Sequence, residues 1–394
     1  MDSTSAKPLP VWTNFRFSGD SLEYFKIWIV NVLFTIITLG LYSPWAKVRT
    51  MRYFHGNTWL NDSSFAYLAD PVRILKGRII AVGVLAIYWV CIEFYPQKSL
   101  WALAIMCLLV PFILVTSMAF RMRNTAYRNI RFHFRADYLA AYRLFLIPIG
   151  LILIITAIVY FLYLKSGFGQ QLEEAGNGEF RKEDMLFSIF ILVVLPVVPY
   201  IDFLRRRFII NQTHYGAARG FFQGTAWSFY KIYLVAFLMA MGLAFVIGIL
   251  MSVIVAFIGL PGPGDDPSPD ALRASFTTFV SFTILFYAIG FFIMGYLMAE
   301  IANLTYNNTE IGPLRLQSHL QGRKIGWLLL SNTIAIIFSL GMLIPWSMIR
   351  MARYVAESTE FLQDRIESIN AMAQADRSAV GEEIGDMFDL DLGL

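Results

Sequence analysis

Charge is the scarcest feature of this sequence. Only 15% of its 394 residues are charged, against about a quarter in an ordinary soluble domain. With a mean hydropathy of +0.58, that shortage excludes a soluble globular fold. Cysteine is nearly absent: Cys91 and Cys107 alone make neither a disulfide framework nor a zinc set and read as small core residues. The four histidines, His55, His133, His214 and His319, show no metal-ligand spacing, and no HExxH, GxSxG or P-loop pattern occurs. We therefore expect no catalytic residue, metal or cofactor, and a membrane enzyme ranks third, behind the two functions given below. What abounds is aromatic, with 34 Phe, 19 Tyr and 9 Trp, which excludes a disordered chain.

Long apolar runs, not ten-residue alternation, carry the hydrophobicity, so helices and not a barrel are expected to cross the membrane. Taking about 20 residues per crossing, the runs lie near 24–43, 79–95, 99–119, 144–164, 185–203, 232–260, 275–299 and 326–348. The first is too long for a signal-peptide core and lacks a cleavage site, so it is expected to be retained. Basic residues crowd alternate connections. Loops 44–78, 120–143, 204–231 and 303–324 hold 20 of the 32 Lys and Arg against four acids, so the positive-inside rule makes them cytoplasmic. No nucleic-acid module is present, and these short flanking sets do not form a nucleic-acid surface.

The chain also resembles itself. Thr38–Tyr53 and Ser339–Tyr354 align with seven of sixteen positions identical, and the same offset pairs Asn31 with Asn332. A Pro-aromatic pair followed by an Asn-Thr-like pair thirteen residues on recurs. It appears as Pro44-Trp45 with Asn57-Thr58, Pro111-Phe112 with Asn124-Thr125, Pro199-Tyr200 with Gln212-Thr213, and Pro345-Trp346 with Ser358-Thr359; Gly295-Tyr296 with Asn308-Thr309 is a degenerate fifth copy. The Pro is expected to end or kink a membrane helix, the aromatic to sit in the headgroup belt and the following arginines to meet anionic headgroups. Alternating aromatics, Phe15 and Phe17, Phe65 and Tyr67, Phe132 and Phe134, predict a short strand after each turn. Each cytoplasmic loop is thus expected to be a helix-turn-strand unit.

This core, Thr38-Leu-Gly-Leu-Tyr-Ser-Pro-Trp followed by Arg49, Arg52 and Tyr53, with Asn31 before it and Asn57-Thr58 after it, resembles the repeated signature of the YjgN-like family of bacterial inner-membrane proteins. The resemblance spans about Phe15 to Thr359. It implies a multi-pass inner-membrane location and brings no established activity.

The fold expected is an all-α polytopic membrane protein of about eight helices with internal repeats. Residues 1–22 form an N-terminal segment, 23–354 the membrane domain, and 355–394 an acidic amphipathic tail that packs on the protein or is solvated. If all five signature copies share one side, the first and last runs must be re-entrant; their length instead favours plain crossings. Asn31 and Asn332 are candidate substrate residues, because polar groups at membrane depth are costly, and Asp202 and Glu300, acids at the cytoplasmic ends of the fifth and seventh runs, are candidates for coupling protons or binding a cation. Arg49, Arg52, Arg205, Arg350 and Arg353 are candidates for binding an anion or lipid. Two functions follow: a repeat-built transporter or channel for a small or anionic solute, or a non-transporting module that binds anionic lipid or partner proteins through its basic loops. Oligomeric state is open.

Overall fold

The computed structural model describes residues 12–166, 182–258, 269–312 and 314–362. Along them one order of elements, strand, helix, helix, strand, occurs five times. The first set is β2 (Arg16–Phe17), α1 (Ser21–Ile37), α2 (Ser43–Gly56) and β3 (Thr58–Leu60), preceded by β1 (Trp12–Asn14). The second is β4 (Ser63–Tyr67), α3 (Pro71–Phe94), α4 (Ser99–Arg123) and β5 (Thr125–Tyr127). The third is β6 (Ile130–Phe134), α5 (Tyr138–Ser166), α6 (Lys182–Gln212) and β7 (Thr213–Tyr215). The fourth is β8 (Ala218–Phe222), α7 (Ala226–Ile258), α8 (Pro269–Asn307) and β9 (Thr309–Ile311). The last is β10 (Leu314–Ser318), α9 (Gly322–Phe338), α10 (Ile344–Glu357) and β11 (Thr359–Leu362).

All strands join one antiparallel sheet in the order β1-β11-β10-β9-β8-β7-β6-β5-β4-β3-β2. Only Phe15 separates β1, which pairs with β11, from β2, which pairs with β3. The Phe15 amide donates to Thr359 O at 2.9 Å, so one N-terminal segment holds both ends and the sheet closes. Closure removes the exposed edges that so many short strands would otherwise present. Two-residue turns join successive sets, and Asn61, Arg128, Asn129, Gly216 and Gly312 take the positive φ such turns require.

The strands predicted around Phe65 and Tyr67 and around Phe132 and Phe134 exist, as Ser63–Tyr67 and Ile130–Phe134, but an all-α expectation omits the sheet they build. Its interior is filled. Leu60, Tyr127, Ile130, Tyr215, Leu314 and Phe361 form a buried cluster backed by Phe15, Phe65 and Phe132. The Tyr127 hydroxyl donates to Leu60 O at 2.7 Å and that of Tyr215 to Tyr127 O at 2.9 Å. Burial pushes the Tyr215 hydroxyl up to about 12, so both donors keep their protons. In each alternating aromatic pair the first ring fills this cluster, and the second, Phe17, Tyr67 or Phe134, packs under a helix pair. Phe361 has no exposed surface; Phe361→Ala is expected to cost about 3–5 kcal/mol, read as a lowered denaturation midpoint in detergent.

The Asn-Thr signature has a local cause. Asn57, Asn124 and Asn308 each donate a side-chain N–H to the carbonyl four residues back, at 2.9, 2.8 and 2.8 Å. The threonines Thr58, Thr125, Thr213, Thr309 and Thr359 do the same with their hydroxyls, at 2.6–2.9 Å. These bonds occupy carbonyls that the helix end leaves orphaned, and the next residues turn into a strand.

The helix pairs differ in length. The runs at 24–43 and 326–348 are not single crossings: the chain turns at Thr38–Tyr42 and Ser339–Leu343, with Leu39, Gly40, Leu340 and Gly341 at positive φ, and returns as a second helix. Leu39 and Leu340 at these tips are 94% and 93% exposed. Among the described residues, five helices are long and apolar enough to cross a membrane: Pro71–Phe94, Pro96–Arg123, Tyr138–Leu162, Ala226–Ile254 and Phe276–Asn307. The run at 185–203 lies within α6. The prolines also depart from expectation: Pro44 and Pro345 start helices, where their missing N–H costs nothing, while Pro111 and Pro199 lie inside α4 and α6. The tail predicted from Val355 begins with the end of α10 and β11; residues 363–394, 167–181 and 259–268 lie outside the described residues.

Candidate functional site

Every helix pair leaves the sheet and returns to it, so the four basic loops converge at the sheet end. One pair builds a pocket there. On α9, Arg323, Lys324 and Trp327 lie along its start; on α10, Trp346, Arg350, Arg353, Tyr354 and Glu357 face them, with Phe292 of α8 and Ser21 of α1 completing a cavity of about 800 Å³. Four cations and a single acid line it. Its cations are oriented by their neighbours. Arg350 Nη1 donates to Ser331 Oγ at 2.7 Å and to Asn332 Oδ1 at 3.1 Å, and its guanidinium lies 5.1 Å from the centre of the Trp346 ring. Arg353 donates to Gly19 O at 3.1 Å. Lys324 lies 5.9 Å from the centre of the Tyr354 ring, whose hydroxyl accepts from the Gln321 amide at 2.9 Å. Held guanidinium and ammonium groups beside aromatic rings suit an oxyanion with an apolar or planar attachment.

The walls meet because glycine lets them. A Cβ on Gly295 of α8 would lie 2.4 Å from Gly326 N and 2.5 Å from Gly322 O, and one on Gly326 would lie 2.8 Å from Phe292 Cα. Gly322 and Gly326 thus form the small-xxx-small face by which membrane helices approach backbone to backbone.

The predicted residues fall in separate places. Arg350, Arg353 and Trp346 line the pocket, and Asn332, 7% exposed, positions Arg350. Asn31 is 4% exposed on α1, and neither of its side-chain polar atoms has a hydrogen-bond partner. Its repeat counterpart of Arg350, Arg49, donates to the Tyr42 hydroxyl at 3.1 Å, away from Asn31. The two asparagines do not form a shared site. Arg52 donates to Ala69 O at 3.3 Å. Asp202 accepts from Arg205 at 3.1 Å and from Arg206 at 3.2 Å, while Arg206 also reaches the Thr305 hydroxyl at 3.0 Å; these bonds clamp α6 to α8. Glu300 is half-buried on α8, outside the pocket. Pro44, Trp45 and Asn57-Thr58 serve the helix ends described above. Arg323, Lys324, Trp327 and Tyr354 were missed. The one signal was the adjacent Arg323-Lys324 pair, which no other set carries at the start of its first helix.

Among the described residues no three His, Cys, Asp or Glu are placed to hold a metal, although His133 and His214 face each other across β6 and β7. His55 is a different case. Burial holds its pKa below the ordinary value; the bond to Met51 O at 2.8 Å opposes this, and Arg121 adds to it. A depressed histidine pKa favours the neutral ring in the fold, so stability should fall as pH drops below about 6.5, where the unfolded chain takes up the proton. His55→Gln should remove that part of the loss in a melting series from pH 7.5 to 5.5.

A closed sheet carrying paired helices, five of which among the described residues are long and apolar enough to span a bilayer, marks a helical membrane protein. Residues 12–387 match the family described as bacterial protein of unknown function (DUF898), and the chain belongs to that family. It is 24% identical over 355 residues to inner membrane protein YjgN of Salmonella typhimurium, covering 88% of each chain. A stretch of 54 residues, 14% of each chain, is 48% identical to inner membrane protein YjgN of Escherichia coli K12. No solved structure matches. The protein is a multi-pass protein of the bacterial inner membrane.

Proposed function

We propose that this protein is a non-transporting membrane module, built from five copies of one strand-helix-helix-strand unit, that binds a phosphate-bearing anion in the α9–α10 pocket with its sheet on the cytoplasmic side. The observation that carries this reading is the convergence of Arg323, Lys324, Arg350 and Arg353 with Trp327 and Trp346 on one cavity. The other units support it by contrast. Where the last unit has Arg323-Lys324, the first has Leu22-Glu23, and where it has Arg350 the fourth has Glu300. One unit in five is specialised. Binding is favoured over conduction because buried aromatic and aliphatic side chains pack the sheet interior.

The phosphate belongs either to a lipid headgroup or to a soluble compound, and two measurements distinguish them. Native mass spectrometry of the full chain in mild detergent should show retained anionic phospholipid. If it instead shows only soluble phosphate compounds, the ligand is a metabolite. Neither ligand bound, together with solute flux in proteoliposomes, would return the protein to the transporter reading.

A further inference from the structure

A second cluster of cations lies at the other side of the first helix pair. From α2 through α4 the helices carry Lys47, Arg49, Arg52, Arg73, Lys76, Arg78, Arg121 and Arg123, and their sole acid is Glu93 at the far end of α3. Three of these cations come together. Val48 of α2, Ile74 of α3 and Phe120 of α4 pack in one buried cluster with Tyr67; Lys47 adjoins Val48, Arg78 is one turn from Ile74, and Arg121 adjoins Phe120. The Arg78 guanidinium donates to the Ser43 hydroxyl at the start of α2. The three charges sense one another: burial and then Arg78 and Arg121 lower the affinity of the Lys47 ammonium for its proton. Like charges held this close with no carboxylate from their own helices favour an anionic ligand.

We infer that Lys47, Arg78, Arg121 and the Ser43 hydroxyl form a second oxyanion site, which takes the phosphate of an anionic membrane lipid. Position favours a lipid over a free ion. Arg78 is in the first third of one membrane-spanning helix and Arg121 is at the end of the next, which is headgroup depth for helices that enter the bilayer there. Beside them the tip of the α1–α2 pair exposes Ile37, Leu39 and Leu41, an apolar surface along which an acyl chain can lie. Bidentate guanidinium contacts fit a phosphate. This site shares no residue with the α9–α10 pocket and stands whether or not that pocket binds anions.

The test titrates the delipidated full-length protein in detergent with short-chain phosphatidylglycerol, phosphatidylcholine and inorganic phosphate, read by native mass spectrometry. Lys47 is partly desolvated by its neighbours yet keeps solvent-exposed surface, so Lys47→Glu should not lower the melting temperature. It is expected to weaken one phosphatidylglycerol site by about ten-fold, the worth of one charge-assisted hydrogen bond. The triple variant Lys47→Gln/Arg78→Gln/Arg121→Gln should lose that site, while Arg323→Gln/Arg353→Gln keeps it. Unchanged phosphatidylglycerol stoichiometry and affinity in Lys47→Glu would overturn the inference. So would equal binding of phosphatidylcholine, or inorganic phosphate that binds there while phosphatidylglycerol does not.

Discussion

Gly295→Val is expected to separate α9 from α8 and to destabilise the protein by about 3 kcal/mol or more, at or above the upper end of the usual overpacking range. The reason is what the new side chain meets. Its first carbon falls 2.4 Å from Gly326 N, 2.5 Å from Gly322 O and 2.7 Å from Gly326 Cα. These are backbone atoms, so no rotamer change makes room, and α9 must move as a body. Phe292 is one turn from Gly295, and Trp327 adjoins Gly326, so the two helices that shift carry two walls of the pocket. Anion binding should fall with stability. Gly290 is the control: it lies on the same helix with open space around it, and Gly290→Ala should leave both melting temperature and binding as they are. A Gly295→Val protein with normal melting would refute the close crossing.

Neutralising the pocket as Arg323→Gln/Lys324→Gln is expected to weaken binding of short-chain phosphatidylglycerol there by about a hundred-fold. That is the combined effect of two charge-assisted hydrogen bonds of about 1.5 kcal/mol each. Arg350 is left in place because its bonds to Ser331 and Asn332 also tie α10 to α9, and removing it would mix structure with binding. Binding by the unaltered pocket should weaken as ionic strength rises, because exposed charges are screened over about 8 Å at physiological salt. Asn332→Ala provides a further separation: it releases Arg350 without changing charge, so the salt dependence should persist while affinity falls. If the double variant binds as tightly as the unaltered chain, the pocket is not the anion site.

Much of this was legible in the sequence, and the parts that were share a cause. Helix existence follows from long apolar runs, and the Asn-Thr pair marks helix ends because its bonds to the carbonyl four residues back are local. The alternating Phe65 and Tyr67 predicted a strand because period two is local as well. The runs at 24–43 and 326–348 show where local reading fails. Each is long enough to cross, yet each turns at a Leu-Gly pair whose left-handed conformation composition does not reveal. Asn31 and Asn332 show the same limit. They are equivalent in sequence, but one meets Arg350 and the other meets no partner, because Arg49 turns to Tyr42.

By itself the sequence determined that the chain lives in a membrane as helices and that its basic loops alternate with its acidic ones. It also determined that one signature recurs at a fixed spacing. Hydrophobicity and charge act through each segment's own solvation, so they can be summed along the chain. The tertiary structure alone decided that the loop strands close into a single sheet, that aromatic rings fill its interior, and that Arg323 and Lys324 face Arg350 and Arg353 beside the glycine-lined crossing of α8 and α9. Those outcomes depend on pairing between residues far apart in the chain, Thr13 with Phe361 or Gly295 with Gly326, which no local pattern encodes.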